Sequence, residues 1–249
     1  MKKTVSLLLT LCMCFSLCFT LASCDFGALL DTLTGNSSNN NDSNSNGSNE
    51  VSFEQLEETV ENDVEQTVSQ LNSKWQSLKS EITTYDEYVA NINKVEDFYN
   101  EINDAVEKAC VRLQEYTVEY AELIMESNMS NDDKYDKFDD LLDCIHEDAL
   151  DTLTDGIHKE LLDDMQDVLS EGILADSDDA ASFSEWSDIF TKECDNWLDT
   201  NSNVFDFLFN TGSDIYDFCF DIKSEILLED IERAQEILNN YKEDVEKLN

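Results

Sequence analysis

The chain has two histidines, and each stands three residues after an aspartate: Asp143 before His146 and Asp155 before His158. On a helix, an acid and an imidazole three apart share a face. The Glu-x-x-His pairs of di-iron bundles hold metal in this way. Those sites take their two pairs from different helices and add further Glu ligands. Here the acid is the shorter Asp, and the pairs lie on one predicted helix, roughly 120° apart around it. Both flank its apolar stripe. Asp143, His146, Asp155 and His158 are the candidate metal ligands, and no cofactor is implied.

Nucleophilic chemistry has less behind it. Cys144 lies two residues before His146, so on a helix the two side chains diverge. No Gly-rich phosphate loop, serine elbow or zinc motif is present, and no catalytic residue is expected. Cys110, Cys144, Cys194 and Cys219 are even in number, which allows two disulfides in any of three pairings. Their spacing matches no disulfide framework, and each equally suits a small buried hydrophobe. Asp42, Asn44, Asn46 and Gly47 match the first half of an EF-hand loop. That loop needs an aliphatic residue where Asn49 stands and a carboxylate where Phe53 stands, so calcium is not expected there.

The elements that would position these residues are helical. The chain has no proline, six glycines and 41 % hydrophobic residues, so helix breakers are scarce and a core is available. Capping boxes at Ser52 with Gln55, Thr84 with Glu87 and Ser182 with Glu185 mark helix starts. The first helix carries Phe53, Leu56, Val60, Val64, Val68, Leu71, Trp75 and Leu78. From Tyr85 to Leu123 a second apolar seam steps by three and four through Tyr88, Tyr99, Tyr116 and Tyr120. This heptad seam has the coiled-coil period, and its width favours a bundle over a two-stranded coil. Its tyrosines are expected in the core with hydroxyls at the rim. A third helix runs from Phe138 to Val168, with Gly172 suited to its end. A fourth carries Phe183, Trp186, Phe190 and Trp197 and is predicted to stop near Thr200 to Asn203. A last one begins near Ile222. Between them, Val204 to Phe220 is rich in Phe and Tyr and is interrupted by Gly212. Its pattern reads as strand-like alternation or as a short buried helix. The rings would plug one end of the bundle or, alternatively, form a partner-binding patch. The fold class read from this is all-α, an elongated antiparallel bundle of four to five helices in one domain, residues 51–249.

Charge excludes one class of partner. With 57 acidic against 15 basic residues, the formal net charge is −42. Nucleic acid binding needs a basic surface. Cations, basic partners or simple solvation fit better.

The first residues address location. Lys2 and Lys3 precede a run from Val5 to Ala22 with no charge, the layout of a secretory signal. The run ends in Leu21-Ala22-Ser23-Cys24, which resembles the lipobox of bacterial prolipoproteins. Cys12, Cys14 and Cys18 each follow a bulky residue, and only Cys24 follows a small one. The resemblance covers about 24 residues. It implies a diacylglyceryl group on Cys24, cleavage between Ser23 and Cys24, and removal of residues 1–23. Asp25 then resembles an inner-membrane retention signal in organisms with two membranes. Gly35 to Asn49 is almost wholly Asn, Ser and Gly, so residues 24–50 read as a lipidated cysteine on a flexible tether. The whole reads as a membrane-anchored protein facing outside the cytoplasm, with a non-enzymatic acidic binding or scaffold domain. A partner protein or cations are the expected ligands. The alternative is a metal-dependent envelope enzyme or cation-binding protein using the two Asp/His pairs.

Overall fold

In a computed structural model, residues 52–175, 178 and 180–248 are described. The expectations for residues 1–50, including Cys24 and the loop from Asp42, lie outside them.

Five helices follow one another: α1 (Phe53–Lys79), α2 (Tyr85–Glu126), α3 (131–173), α4 (Phe183–Leu227) and α5 (Ile231–Glu246). The protein is an all-α helical bundle, as predicted. Neighbours in sequence run antiparallel. Tyr120 of α2 reaches Glu57 near the start of α1, and Trp197 of α4 reaches Leu162 late in α3. Helices two apart are therefore parallel. At about 1.5 Å per residue, α2 and α4 are each more than 60 Å long.

Caps start the helices where the sequence places them. The Ser52 hydroxyl accepts from Gln55 N–H, and the Gln55 side chain accepts from Ser52 N–H in return. The Ser182 hydroxyl accepts from Glu185 N–H. Thr84 caps α2, but the Glu87 carboxylate reaches back to Thr83 rather than closing the box on Thr84. The sequence reading missed two caps. Ser130 accepts from Asp133 N–H and starts α3. Asp230 accepts from Arg233 N–H and starts α5.

Three expectations are corrected. First, α4 does not stop near Thr200 to Asn203. It continues for 45 residues, through the stretch expected to be separate and past Ile222. Thr200, Asn201 and Val204 all face the core, so tertiary burial overrides the weak helix propensity of the polar run. Second, Gly212 breaks nothing. It sits in mid-helix, where the missing Cβ admits His146 of α3. A Cβ there would lie 3.1 Å from His146 Nε2. Third, Gly172 lies in the last turn of α3 without the left-handed conformation of a glycine cap. The positive φ falls instead at Glu229, at 60°. Beside it, Asp230 N–H donates to Glu225 carbonyl at 2.9 Å, the long bond of a Schellman motif that ends α4.

α3 is the irregular member. It begins as α-helix (Asn131–Leu142) and then carries three π-wound stretches, Asp143–Leu150, Thr154–Leu162 and Asp167–Ile173. All three tryptophans anchor their indole N–H on this helix. Trp75 donates to Asp164, Trp186 to the Leu174 carbonyl and Trp197 to the Leu162 carbonyl. Leu162 ends a π-wound stretch. The shift from i+5 to i+4 pairing at such a junction deprives one carbonyl of its helical donor, and a side chain can replace it. Gly156 lets α1 approach closely, because a Cβ there would collide with Val68.

Candidate functional site

The core contains one chemically unusual group that the sequence reading did not single out. Glu193 on α4 is 1 % exposed. Its two carboxylate oxygens accept from Tyr88 at 2.5 Å and Tyr99 at 2.6 Å, both on α2. Two tyrosines expected to turn their hydroxyls to the rim therefore turn them inward. Burial dominates and pushes Glu193 above the ordinary glutamate range. The tyrosine hydrogen bonds oppose this, and Glu96 adds to it. Burial and the facing carboxylate push both tyrosines upward as well. The cluster is a buried, hydrogen-bonded knot between α2 and α4. A signal for it existed in the sequence. Glu193 occupies a core register position between Trp186, Phe190 and Trp197, opposite a tyrosine-rich seam.

The four candidate metal ligands do not converge. The His146 ring nitrogen Nε2 lies 3.2 Å from the Gly212 carbonyl. A carbonyl only accepts, so Nε2 carries the proton. Burial holds His146 below the usual histidine range, against the opposing pull of Gly212 and Asp151. His158 is lowered in the same way by burial, with Asp163 opposing. Asp155 forms an ion pair with Lys159 on its own helix. Asp143 is exposed and raised by partial burial and by the crowd of Glu147, Asp139, Asp140 and Asp148. Among the described residues, no group of three or more His, Cys, Asp or Glu is placed to hold a metal ion.

The four cysteines are thiols. Burial pushes Cys110 up to about 11 and Cys144 up to about 12, and raises Cys219 further. Nucleophilic sulfur chemistry requires the thiolate, so these three are inert packing groups at neutral pH. Cys144 lines an open groove of about 820 Å³ between α1 and α3, among Glu54, Glu57, Glu61, Glu147 and Asp148. Its lining is strongly acidic.

A second surface is apolar. On α4, Phe205, Phe209 and Phe220 are 45 %, 48 % and 59 % exposed, and Leu227 at its end is 61 % exposed. Phe205 stacks on Phe209 at 5.8 Å and Tyr216 on Phe220 at 6.5 Å. Of the rings expected to plug one end of the bundle, Phe205, Phe209, Tyr216 and Phe220 therefore lie along one side of a continuous helix. Phe218 alone among these is buried, stacked on Tyr241 of α5 at 4.2 Å. No family model, curated protein or solved structure matches the chain.

Proposed function

We propose that this protein is a lipoprotein, held at a membrane through a diacylglyceryl group on Cys24. Residues 51–249 then form a non-enzymatic binding or scaffold module facing outside the cytoplasm. The observation that carries this reading is Leu21-Ala22-Ser23-Cys24, placed directly behind a basic start and an uncharged apolar run. Two acyl chains on one cysteine supply stable attachment where a single chain does not. Among the described residues, no helix is long and apolar enough to cross a membrane, so these helices offer no anchor of their own. The Asn, Ser and Gly of residues 35–49 suit a tether by composition. A module reading is supported by an inert set of buried titratable groups beside a strongly acidic surface, which favours cationic or basic protein partners over nucleic acid.

The test is metabolic labelling with an alkyne fatty acid in a bacterial host, followed by mass analysis of the N-terminal peptide. Wild type and Cys18→Ala take up label and lose residues 1–23, whereas Cys24→Ala does neither. Labelled, processed Cys24→Ala protein would overturn the assignment, as would an unlabelled wild type.

A further inference from the structure

The outward face of α4 is built like one half of a helix–helix interface. Phe205, Tyr216 and Leu227 repeat at eleven-residue intervals, and Phe209 and Phe220 repeat at the same interval between them. Eleven residues make three turns with a residual rotation of only about 20° at 100° per residue. The rings and Leu227 therefore stay in line along the helix for about 33 Å. The period of 3.67 residues per turn suits a partner helix lying nearly straight along α4, unlike the heptad seam of α2. Scattered exposed apolar residues are ordinary, but two stacked aromatic pairs aligned on one helix, with an exposed leucine beyond them, mark an interaction site.

Charge selects the occupant. Asp206, Asp217 and Asp221 flank the ring row on one side of α4. On the other side α3 brings Tyr135 and Asp139. The one lysine in the row, Lys223, is already engaged by Asp139 and lies 4.1 Å over the Tyr135 ring. A second copy of this chain would set aspartates against aspartates on a protein of net charge −42. An anionic lipid surface would be repelled for the same reason. The chain's own apolar segment around Phe26, Leu29, Leu30 and Leu33 carries Asp25 and Asp31 and no base, so it does not complement the flanks.

We infer that the Phe205–Leu227 face of α4 docks a helix of another protein, an amphipathic segment with an apolar ridge bordered by Lys and Arg. This rests on reading the domain as a binding module. It is independent of acylation at Cys24, which the labelling experiment tests by itself. Recognition would follow the helix-in-groove mode, with aromatic anchors supplying affinity and flanking charge supplying orientation and on-rate.

The experiment uses the full chain in nanodiscs of zwitterionic lipid and three fluorescent peptides of about 22 residues, matched to the face by length. One has a leucine ridge flanked by lysines, one has the same residues scrambled, and one has glutamates in place of the lysines. Anisotropy is read at moderate and at high salt, because diffuse attraction between a cation and an acidic surface is screened while ridge packing persists. The ridged lysine peptide binds saturably, at least about tenfold tighter than either control. Phe209→Ser combined with Phe220→Ser weakens it by about tenfold or more with an unchanged circular dichroism spectrum. Leu248→Ser, at an exposed apolar residue elsewhere, does not. Equal binding of ridged and scrambled peptides, no binding by the wild-type chain, or full binding by the double variant overturns the inference. So does a wild-type dimer that the double variant dissolves, which would assign the face to a second copy.

Discussion

Trp186, Phe190 and Trp197 in the first half of α4 are at most 8 % exposed, whereas Phe205, Phe209 and Phe220 in its second half are at least 45 % exposed. The two halves belong to one uninterrupted helix, and both are rich in aromatic residues. What differs is the polar chemistry beside the rings. In the first half the indoles give their N–H groups to carbonyls of α3, and Glu193 is tied to two tyrosines of α2. Both indoles there are fixed by a directional bond as well as by packing. In the second half the most exposed rings, Phe205, Phe209 and Phe220, are plain phenyls with no polar atom to satisfy. Aromatic content thus decides neither burial nor role. The bundle fixes one half from three sides and leaves a face of the other half open.

Removing a ring from each half separates the two most sharply in the first. Trp197→Ala takes out a buried indole and strips the Leu162 carbonyl of its donor. A loss of about 3–5 kcal/mol is expected. Urea unfolding followed by circular dichroism measures it, and a loss under about 1 kcal/mol would show that the first half is no better fixed than the second.

A smaller effect comes from Glu193, and it depends on pH. Burial raises its folded pKa above the unfolded value of 4.5 despite the tyrosine hydrogen bonds. A raised carboxylate contributes stability that is complete below its unfolded pKa and is lost as pH rises through the folded pKa. The domain therefore gains stability from this group as pH falls from 7 toward 4.5. One proton contributes no more than about 1.4 kcal/mol per pH unit. Mutual repulsion among the exposed carboxylates has the same sign, but it is common to wild type and Glu193→Gln. The difference between their stability–pH curves isolates Glu193, and parallel curves would contradict the assignment. The groups around it, Tyr88, Tyr99, Glu96 and Cys194, are unchanged in the variant.

The contrast also explains what was legible in the sequence. Helix number, most helix starts and the α2 seam followed from period and caps, because most positions from Tyr85 to Tyr120 that step by three and four meet the core, with Ile92 and Tyr116 half-buried. The extent of α4 did not. Thr200 to Asn203 is a poor helix former on its own, and only burial of Thr200, Asn201 and Val204 carries the helix across it. Gly212 signals a break in sequence but serves a close contact with His146 that depends on a residue 66 positions away. The chemistry of the Asp/His pairs was misleading for a related reason. Spacing shows which residues share a face of one helix, but not that His146 faces a carbonyl or that Asp155 is taken by Lys159. Glu193 was visible as a carboxylate at a core register position, yet its meaning required the tyrosines of another helix.

The smallest effect belongs to the outward rings, and it decides what kind of face they form. Phe220 is 59 % exposed and stacks on Tyr216, so less than half of its apolar area leaves water on folding. Full burial of a phenylalanine is worth about 1.5–3 kcal/mol, which leaves roughly 1 kcal/mol for the buried part. Serine adds a few tenths of a kcal/mol through weaker helix propensity. Phe220→Ser should therefore cost about 1 kcal/mol, several-fold less than Trp197→Ala on the same helix. A loss of about 3 kcal/mol or more in the urea titration would mean that Phe220 is a core residue, and the open face of α4 would not exist. A loss near zero would sharpen the contrast the other way. The folded chain would then gain nothing by keeping a phenyl ring at that position, and only an interaction beyond the fold would account for the ring.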